Sequence, residues 1–310
     1  MLSRVAERMY WGARYLERAE NIARLVRVYD AALLDLPDEA GVGWPLLVDI
    51  CGSREAFQAR YPVGNNRETL RFLISDADSP SSIMASLAQA RENFRTTRDL
   101  CPTEAWRSVN ELYLYGRKAL PRMSSRQRHE VLSGIVQRVQ QLTGLLSGTM
   151  SHGDAYSFIR LGRNLERADM TTRIIDTAAA TLLRSGTAEA RLGNTLWMAV
   201  LKSLSGYQMY RQYVRRRIRD EDVIRFLLND ALFPRAVAHC LLELESGMAR
   251  LPNHEGPLRA ALRLQRLVDA QHPEAVEETA LRKLMDTLQL ELALVHAQIA
   301  DAWFLPERAG

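Results

Sequence analysis

The 310-residue sequence lacks the marks of several protein classes. Its three cysteines, Cys51, Cys101 and Cys240, are odd in number and far apart, which excludes a disulfide framework and a cysteine-based zinc site. No run of about 18 apolar residues occurs, so no membrane span is expected. The opening segment carries charges where a signal peptide would be apolar. The sequence therefore predicts a soluble cytoplasmic protein.

Helix-breaking residues and lysine are also scarce. The chain has 17 glycines and 11 prolines, and no clear alternation of apolar and polar residues predicts a strand. Lysine stands only at positions 118, 202 and 283, so nearly all of the 41 basic residues are arginines. The formal net charge of +4 is too small to indicate a nucleic-acid partner. What the sequence does have is arginine, whose planar guanidinium binds carboxylates and phosphates and stays charged when buried.

An internal repeat runs through the whole chain. The segment 14–24 reappears as 163–173, and both copies contain the pattern Arg-x-Leu-Glu-Arg-Ala. Two further matches follow in the same order, 44–47 with 197–200 and 71–76 with 225–230. Three ordered matches whose spacing drifts by only a few residues indicate a duplication.

The repeat and the helical patterns together predict the fold class. We expect an all-α protein of two duplicated helical bundles, residues 1–150 and 151–310, packed around a pseudo-twofold axis as one continuous unit. Helices are predicted at 3–35, 80–99 with a cap at Asp78, 103–120, 124–147 with a Ser124–Gln127 capping box, 154–184, 190–218, 234–250, 256–270 and 274–303. The least regular stretch is 37–68, which contains most of the early glycines and prolines.

The repeated helix is the candidate site. On a helical wheel, Trp11, Tyr15 and Ile22 lie on an apolar arc, and charged residues collect on the opposite side. The candidate residues are the charged positions of the two copies: Arg14, Glu17, Arg18, Glu20, Arg24, Arg163, Glu166, Arg167, Asp169 and Arg173. Three interpretations stay open for them: a solvated face with weak salt bridges, a buried ion-pair network, or a site for an anionic ligand.

Several of these motifs resemble those of the bacterial alpha-E domain family. The resemblance is carried by Tyr10-Trp11, by residues 14–21 and 23–25, and later by 226–230, 233–235 and Cys240-Leu241. It implies an all-helical protein without a defined activity. It also implies a partner, because genes of this family lie beside, or are fused to, a circularly permuted ATP-grasp ligase, often near a transglutaminase-like protease.

Patterns of known catalytic and metal sites are absent. No Glu-x-x-His occurs, as a di-iron bundle would need, and the six histidines show no HExxH spacing. There is no Walker A loop, no dinucleotide fingerprint and no Gly-x-Ser-x-Gly elbow. We therefore expect no metal, no cofactor and no membrane or nucleic-acid partner, and the catalytic residues, if any, stay unknown.

Three hypotheses for the function stay open. The first is an accessory protein that binds an ATP-grasp-type amide or peptide ligase, together with a peptide or small anionic ligand. The second is an enzyme that acts on a carboxylate- or phosphate-bearing intermediate, with Glu17 or Glu166 as acid or base. The third is a purely structural helical scaffold. Neighbouring arginines would lower the pKa of either glutamate, which counts against the enzyme.

Overall fold

The computed structural model describes residues 1–32, 43–185, 190–215, 217–271 and 278–304. All regular secondary structure within these ranges is helical. The prediction of an all-α protein is therefore confirmed for the described part of the chain. None of the helices in these ranges combines the length and the apolar character needed to cross a lipid bilayer.

Fourteen α-helices are described. They are α1 (Ser3–Ala32), α2 (Pro45–Ile50), α3 (Arg54–Arg60), α4 (Asn66–Ile74), α5 (Ile83–Thr96), α6 (Thr103–Ala119), α7 (Arg128–Thr149), α8 (Asp154–Ser185), α9 (Ala190–Ser203), α10 (Tyr207–Val214), α11 (Asp220–Asn229), α12 (Val237–Met248), α13 (Glu255–Asp269) and α14 (Glu278–Trp303). The last residues of the predicted helix 3–35 and the first of 274–303 lie outside the described ranges.

Two predicted helices have boundaries that differ from those in the structure. The single helix expected over 190–218 is wrong: Ser205 has a φ of 55° before Gly206, which ends α9, and Arg215 has a φ of 49° and ends α10. The cap expected at Asp78 is also wrong. Ser82 caps α5 instead, with its hydroxyl accepting a hydrogen bond from the Ala85 amide at 2.9 Å.

Other local signals have mixed outcomes. The Ser124–Gln127 capping box is confirmed and precedes α7 through one short 3₁₀ turn. The stretch 37–68 is less irregular than expected, because its described part contains α2, α3 and the start of α4. The sequence patterns do not predict α11, although its second half, 225–229, lies in the third repeat match. Its charged first turn, residues 220–222, hides the periodic apolar side that the helix buries.

Two long helices, α1 and α8, lie at the centre of the molecule and pack against each other. Around α1 lie α5 and α7, and α6 packs on both of these. Around α8 lie α12 and α14, and α13 packs on both of these. The apolar core runs continuously through the two sets.

The backbones of α1 and α8 come into direct contact at a glycine. A Cβ atom on Gly162 would lie 2.1 Å from the carbonyl oxygen of Tyr10. Further contacts advance in the same direction along both helices, since Glu17 of α1 meets Arg167 of α8. Only glycine allows this close approach, which brings the repeated charged residues of the two helices within bonding distance.

Candidate functional site

The charged side of α1 is buried. Glu17, Glu20 and Arg24 expose 2%, 1% and 0% of their surface. On α8 the side chain of Glu166 is buried as well. A solvated face is therefore excluded for these four residues. We call the charged side chains between α1 and α8, with those bonded to them, the seam.

On one side of the seam, two arginines of α1 hold the carboxylate of Glu166. Arg14 Nε donates to Oε2 at 2.7 Å, and Arg18 donates through Nε to Oε1 at 2.6 Å and through Nη2 to Oε2 at 3.1 Å. Burial would raise the pKa of Glu166, but the charges of Arg18 and Arg14 outweigh it and hold the pKa at about 2. Glu166 is therefore ionised and fully bonded.

On the other side, Glu17 lies between Arg167 and Arg235. Arg167 Nε is 3.0 Å from Glu17 Oε1, and Arg235 Nη1 donates to the same oxygen at 2.6 Å. Burial again raises the pKa, and Arg167 and Arg235 again outweigh it, so that the pKa of Glu17 is about 2. Arg235 precedes α12 and belongs to neither copy of the repeated helix.

The ion pairs Arg18–Glu166 and Arg167–Glu17 are equivalent by the repeat, because each joins the arginine of one copy to the glutamate of the other. Arg18 is 149 residues before Arg167, and Glu17 is 149 residues before Glu166. The Glu-Arg dipeptide of each helix thus pairs with the dipeptide of the other: Arg18 binds Glu166, and Arg167 binds Glu17. A repeated motif that bonds to its own copy would be disrupted by a change in either copy.

The Glu17 side continues deeper into the molecule. Arg235 also donates to Asn21 Oδ1 at 2.8 Å and to Glu20 Oε1 at 3.2 Å, and Gln140 Nε2 donates to Glu20 at 3.2 Å. Glu20 forms an ion pair with Arg24 one turn along α1. Burial and the nearby charge of Arg235 lower the pKa of Arg24 to about 10. The charged form of Arg24 is therefore destabilised where it lies.

Three predicted site residues take other positions. Arg173 pairs with Asp169 at 2.9 Å on the surface of α8 and packs over Gly52, where a Cβ would lie 2.5 Å from its Nη1. Arg163 forms neither an ion pair nor a hydrogen bond with any residue in the described ranges, and its Nε is buried. Burial and the charge of Arg167 lower the pKa of Arg163.

Sequence reasoning missed two residues that complete the site, Arg235 and Gln140. Arg235 belongs to the motif 233–235 that carries the family resemblance, and this was the available signal. Gln140 gives no signal, because a polar residue on α7 has the sequence features of any exposed helical position. Only the packing of α7 against α1 brings it to Glu20.

A cavity of about 210 Å³ opens beside the Glu17 side of the seam. Its walls are formed by Glu20, Gln140, Thr143, Arg167, Pro234 and Arg235. A larger groove of about 1280 Å³ lies away from the seam, between α4 and the turn from α6 to α7. The small cavity is the one of the two that contains residues of the seam.

The seam does not resemble a centre for metal or nucleophilic chemistry. Within the described ranges, no three His, Cys, Asp or Glu side chains come together as metal ligands. Cys51 and Cys240 lie near the seam, but burial raises the pKa of each thiol to about 12, so neither forms a thiolate nucleophile at neutral pH. The arrangement is suited to holding charge in place.

Comparison with known proteins identifies relatives of the whole chain. Residues 1–304 match a family profile described as a predicted alpha-helical domain with a conserved ER motif. The chain is 25% identical to an uncharacterized protein of Mycobacterium bovis and to one of Mycobacterium tuberculosis, over 96% of its own length and 36% of theirs. It therefore spans little more than a third of these relatives. No solved structure matches significantly.

Proposed function

The chain belongs to the alpha-E family, and we propose that it acts as a non-catalytic partner of an ATP-grasp-type amide or peptide ligase. In this role it binds the ligase in the cytoplasm, together with a carboxylated or peptide ligand. The seam supports the non-catalytic part of the proposal, because its two central carboxylates are both buried and each is held by two arginines. With a pKa of about 2, neither carboxylate is suited to exchanging protons near neutral pH.

The mycobacterial relatives support a role beside another domain. The chain covers 36% of their length, so most of each relative lies outside the matched region. A helical unit that forms part of larger chains is typical of a module that works on, or with, an attached or associated protein. The resemblance stated above names the ATP-grasp ligase as that protein.

An enzyme that uses Glu17 or Glu166 as an acid or base is the weaker alternative. A general acid or base works best when its pKa lies near the operating pH, but both glutamates have a pKa of about 2. Both also accept bonds from two arginines that would have to move before a substrate could approach. The structural scaffold remains the outcome if neither a ligase nor a ligand binds.

We also infer that the two halves, 1–150 and 151–310, arose by duplication and are related by a pseudo-twofold axis. The contacts that support this are reciprocal: α1 packs on α5 and α7 as α8 packs on α12 and α14, and the Glu-Arg dipeptides pair with each other. In this interpretation the axis passes between α1 and α8. The halves share one core and are one folding unit.

The direct test is co-purification with an ATP-grasp ligase from the same organism, of the kind that the family resemblance implies, followed by an activity assay. We expect the two proteins to bind at micromolar concentration, the chain alone to turn over neither ATP nor peptides, and its addition to raise amide formation by the ligase. Failure to bind, or turnover by the isolated chain, would contradict the proposal.

A further inference from the structure

We infer that the cavity lined by Arg167 and Arg235 binds an oxyanion, the carboxylate or phosphate group of a small ligand. The assignment of this ligand to a peptide carboxylate deepens the proposed function and rests on it. The anion site itself does not depend on a ligase. The cavity holds about 210 Å³, which is below the range of roughly 300–1,000 Å³ for drug-sized ligands and fits one end group of a larger molecule.

Positive charge exceeds negative charge on this side of the seam. Four arginines lie here, Arg24, Arg163, Arg167 and Arg235, and three of them are paired with Glu17 and Glu20. The other carboxylate near Arg163, that of Glu243, is bonded to Arg160. The four arginines and their two paired glutamates are largely withdrawn from solvent. Buried charge without a counter-charge is costly, so an anion bound here would supply the missing negative charge.

Several buried donors on this side lack acceptors. Within the described residues, Asn21 Nδ2, Arg24 Nε and Arg163 Nε have no hydrogen-bond partner, whereas Arg167 Nε is paired with Glu17. Buried polar groups nearly always have a partner in a protein or in bound solvent or ligand. These three residues lie around Glu17, so this side of the seam has more buried donors than acceptors among the described residues. An anion in the adjacent cavity would bring an acceptor to that side.

The walls of the cavity offer donors for an anion. The Nη atoms of Arg167 form no hydrogen bond within the described residues and can donate to the oxygens of a carboxylate or phosphate. Arg235 already bonds Glu17, Glu20 and Asn21 and adds its positive charge. Thr143 stands in the wall and is half-buried, and its hydroxyl forms no hydrogen bond within the described ranges, so it can donate to the anion. Gln140 is exposed, which opens the cavity to solvent and lets a ligand enter.

A thermal-shift titration of the full chain tests the inference. Inorganic phosphate and N-acetylglycine are each titrated against chloride at constant ionic strength. We expect the Tm to rise by about 2 °C at an anion concentration tenfold above Kd. Thr143→Glu places a carboxylate at the cavity, so it should raise the Tm without added anion and abolish the response. Thr143→Gln, which has the same shape without the charge, should keep the response.

The outcomes separate the site from the proposed function. The anion site would be overturned if Thr143→Glu showed the same rise in Tm as the unchanged chain. It would also be overturned if phosphate and N-acetylglycine raised the Tm no more than chloride does. A response to N-acetylglycine supports a peptide carboxylate, and a response to phosphate alone supports the site but overturns that assignment. None of these results depends on the ligase. A failed co-purification therefore contradicts the partner role and leaves the anion site standing.

Discussion

Glu17 and Glu166 come from the same repeated sequence, but their surroundings differ. Glu166 is bonded by Arg14 and Arg18, whose side chains expose 11% and 23% of their surface. Glu17 is bonded by Arg167 and Arg235, whose side chains expose 14% and 8%, and Arg24 behind them is fully buried. The arginines of Glu166 both reach solvent, whereas the Glu17 side includes an arginine that is withdrawn from solvent completely.

The difference lies in the second arginine that each glutamate binds. Arg14 of the repeated helix bonds Glu166, but Arg163, its counterpart 149 residues later, does not bond Glu17. Arg235 bonds Glu17 instead, and the residue 154 positions before Arg235, Ser81, forms a hydrogen bond with Ser53. A duplicated motif can thus keep one copy as a structural bond while the other gains a new role. This is possible because the reciprocal pairs hold α1 and α8 together. A charged residue outside these pairs, such as Arg235, can then change without separating the two helices.

The largest effect is expected from removing each central carboxylate. Glu17→Gln should cost about 3–5 kcal/mol of unfolding free energy, because Arg235 and Arg24 are then buried without sufficient counter-charge. Glu166→Gln should cost about 1 kcal/mol less, since Arg14 and Arg18 can turn towards water. Urea unfolding of both variants measures the difference. Equal losses of unfolding free energy, or a larger loss for Glu166→Gln, would contradict the difference between the two sides of the seam.

Acid should weaken both sides of the seam. Each carboxyl has a pKa of about 2 in the folded protein and near 4.5 when unfolded, so its contribution is complete above about pH 4.5 and is lost as the pH falls towards 2. The loss should amount to about 3 kcal/mol per carboxyl. Unfolding free energies measured across this window should fall less steeply in Glu17→Gln. An unchanged slope would mean that this glutamate does not titrate as described.

A smaller effect is expected where the two central helices meet. Gly162→Ala places a methyl group against the Tyr10 carbonyl and should cost about 1–3 kcal/mol, because α1 and α8 must separate. Gly144→Ala is the control, since nothing lies within 4 Å of its Cβ position, and it should stabilise α7 by about 0.5–1 kcal/mol. Thermal unfolding measures both variants. If Gly162→Ala also stabilised the protein, the close approach would be refuted.

The smallest effect is expected for a charged pair outside the seam. Arg95 and Glu92 on α5 are 2.7 Å apart, but about half of each side chain is exposed. Arg95→Ala should leave the unfolding free energy almost unchanged, because water and salt screen an exposed pair. Urea unfolding at low and high salt is the measurement. A loss as large as that of Glu17→Gln would show that burial does not separate the two kinds of pair.

The sequence predicts much of this arrangement, but not its asymmetry. Periodicity and internal similarity, which can be read along the chain, predict the all-α fold class, the long helices and the repeated charged motif. The break at Ser205 depends on a positive φ, and the hidden helix α11 depends on a face buried by its neighbours. Arg235 could not be joined to Glu17 from the sequence, because 218 residues separate them and only tertiary packing unites them.

The central claim is that the Glu17 side of the seam accepts an anion and the Glu166 side does not. A crystal of the protein soaked in selenate, measured at the selenium absorption edge, locates the anion directly. The account predicts an anomalous peak in the cavity between Arg167 and Arg235, and none beside Arg14 and Arg18. An empty cavity, or a peak of equal height beside Glu166, would contradict it.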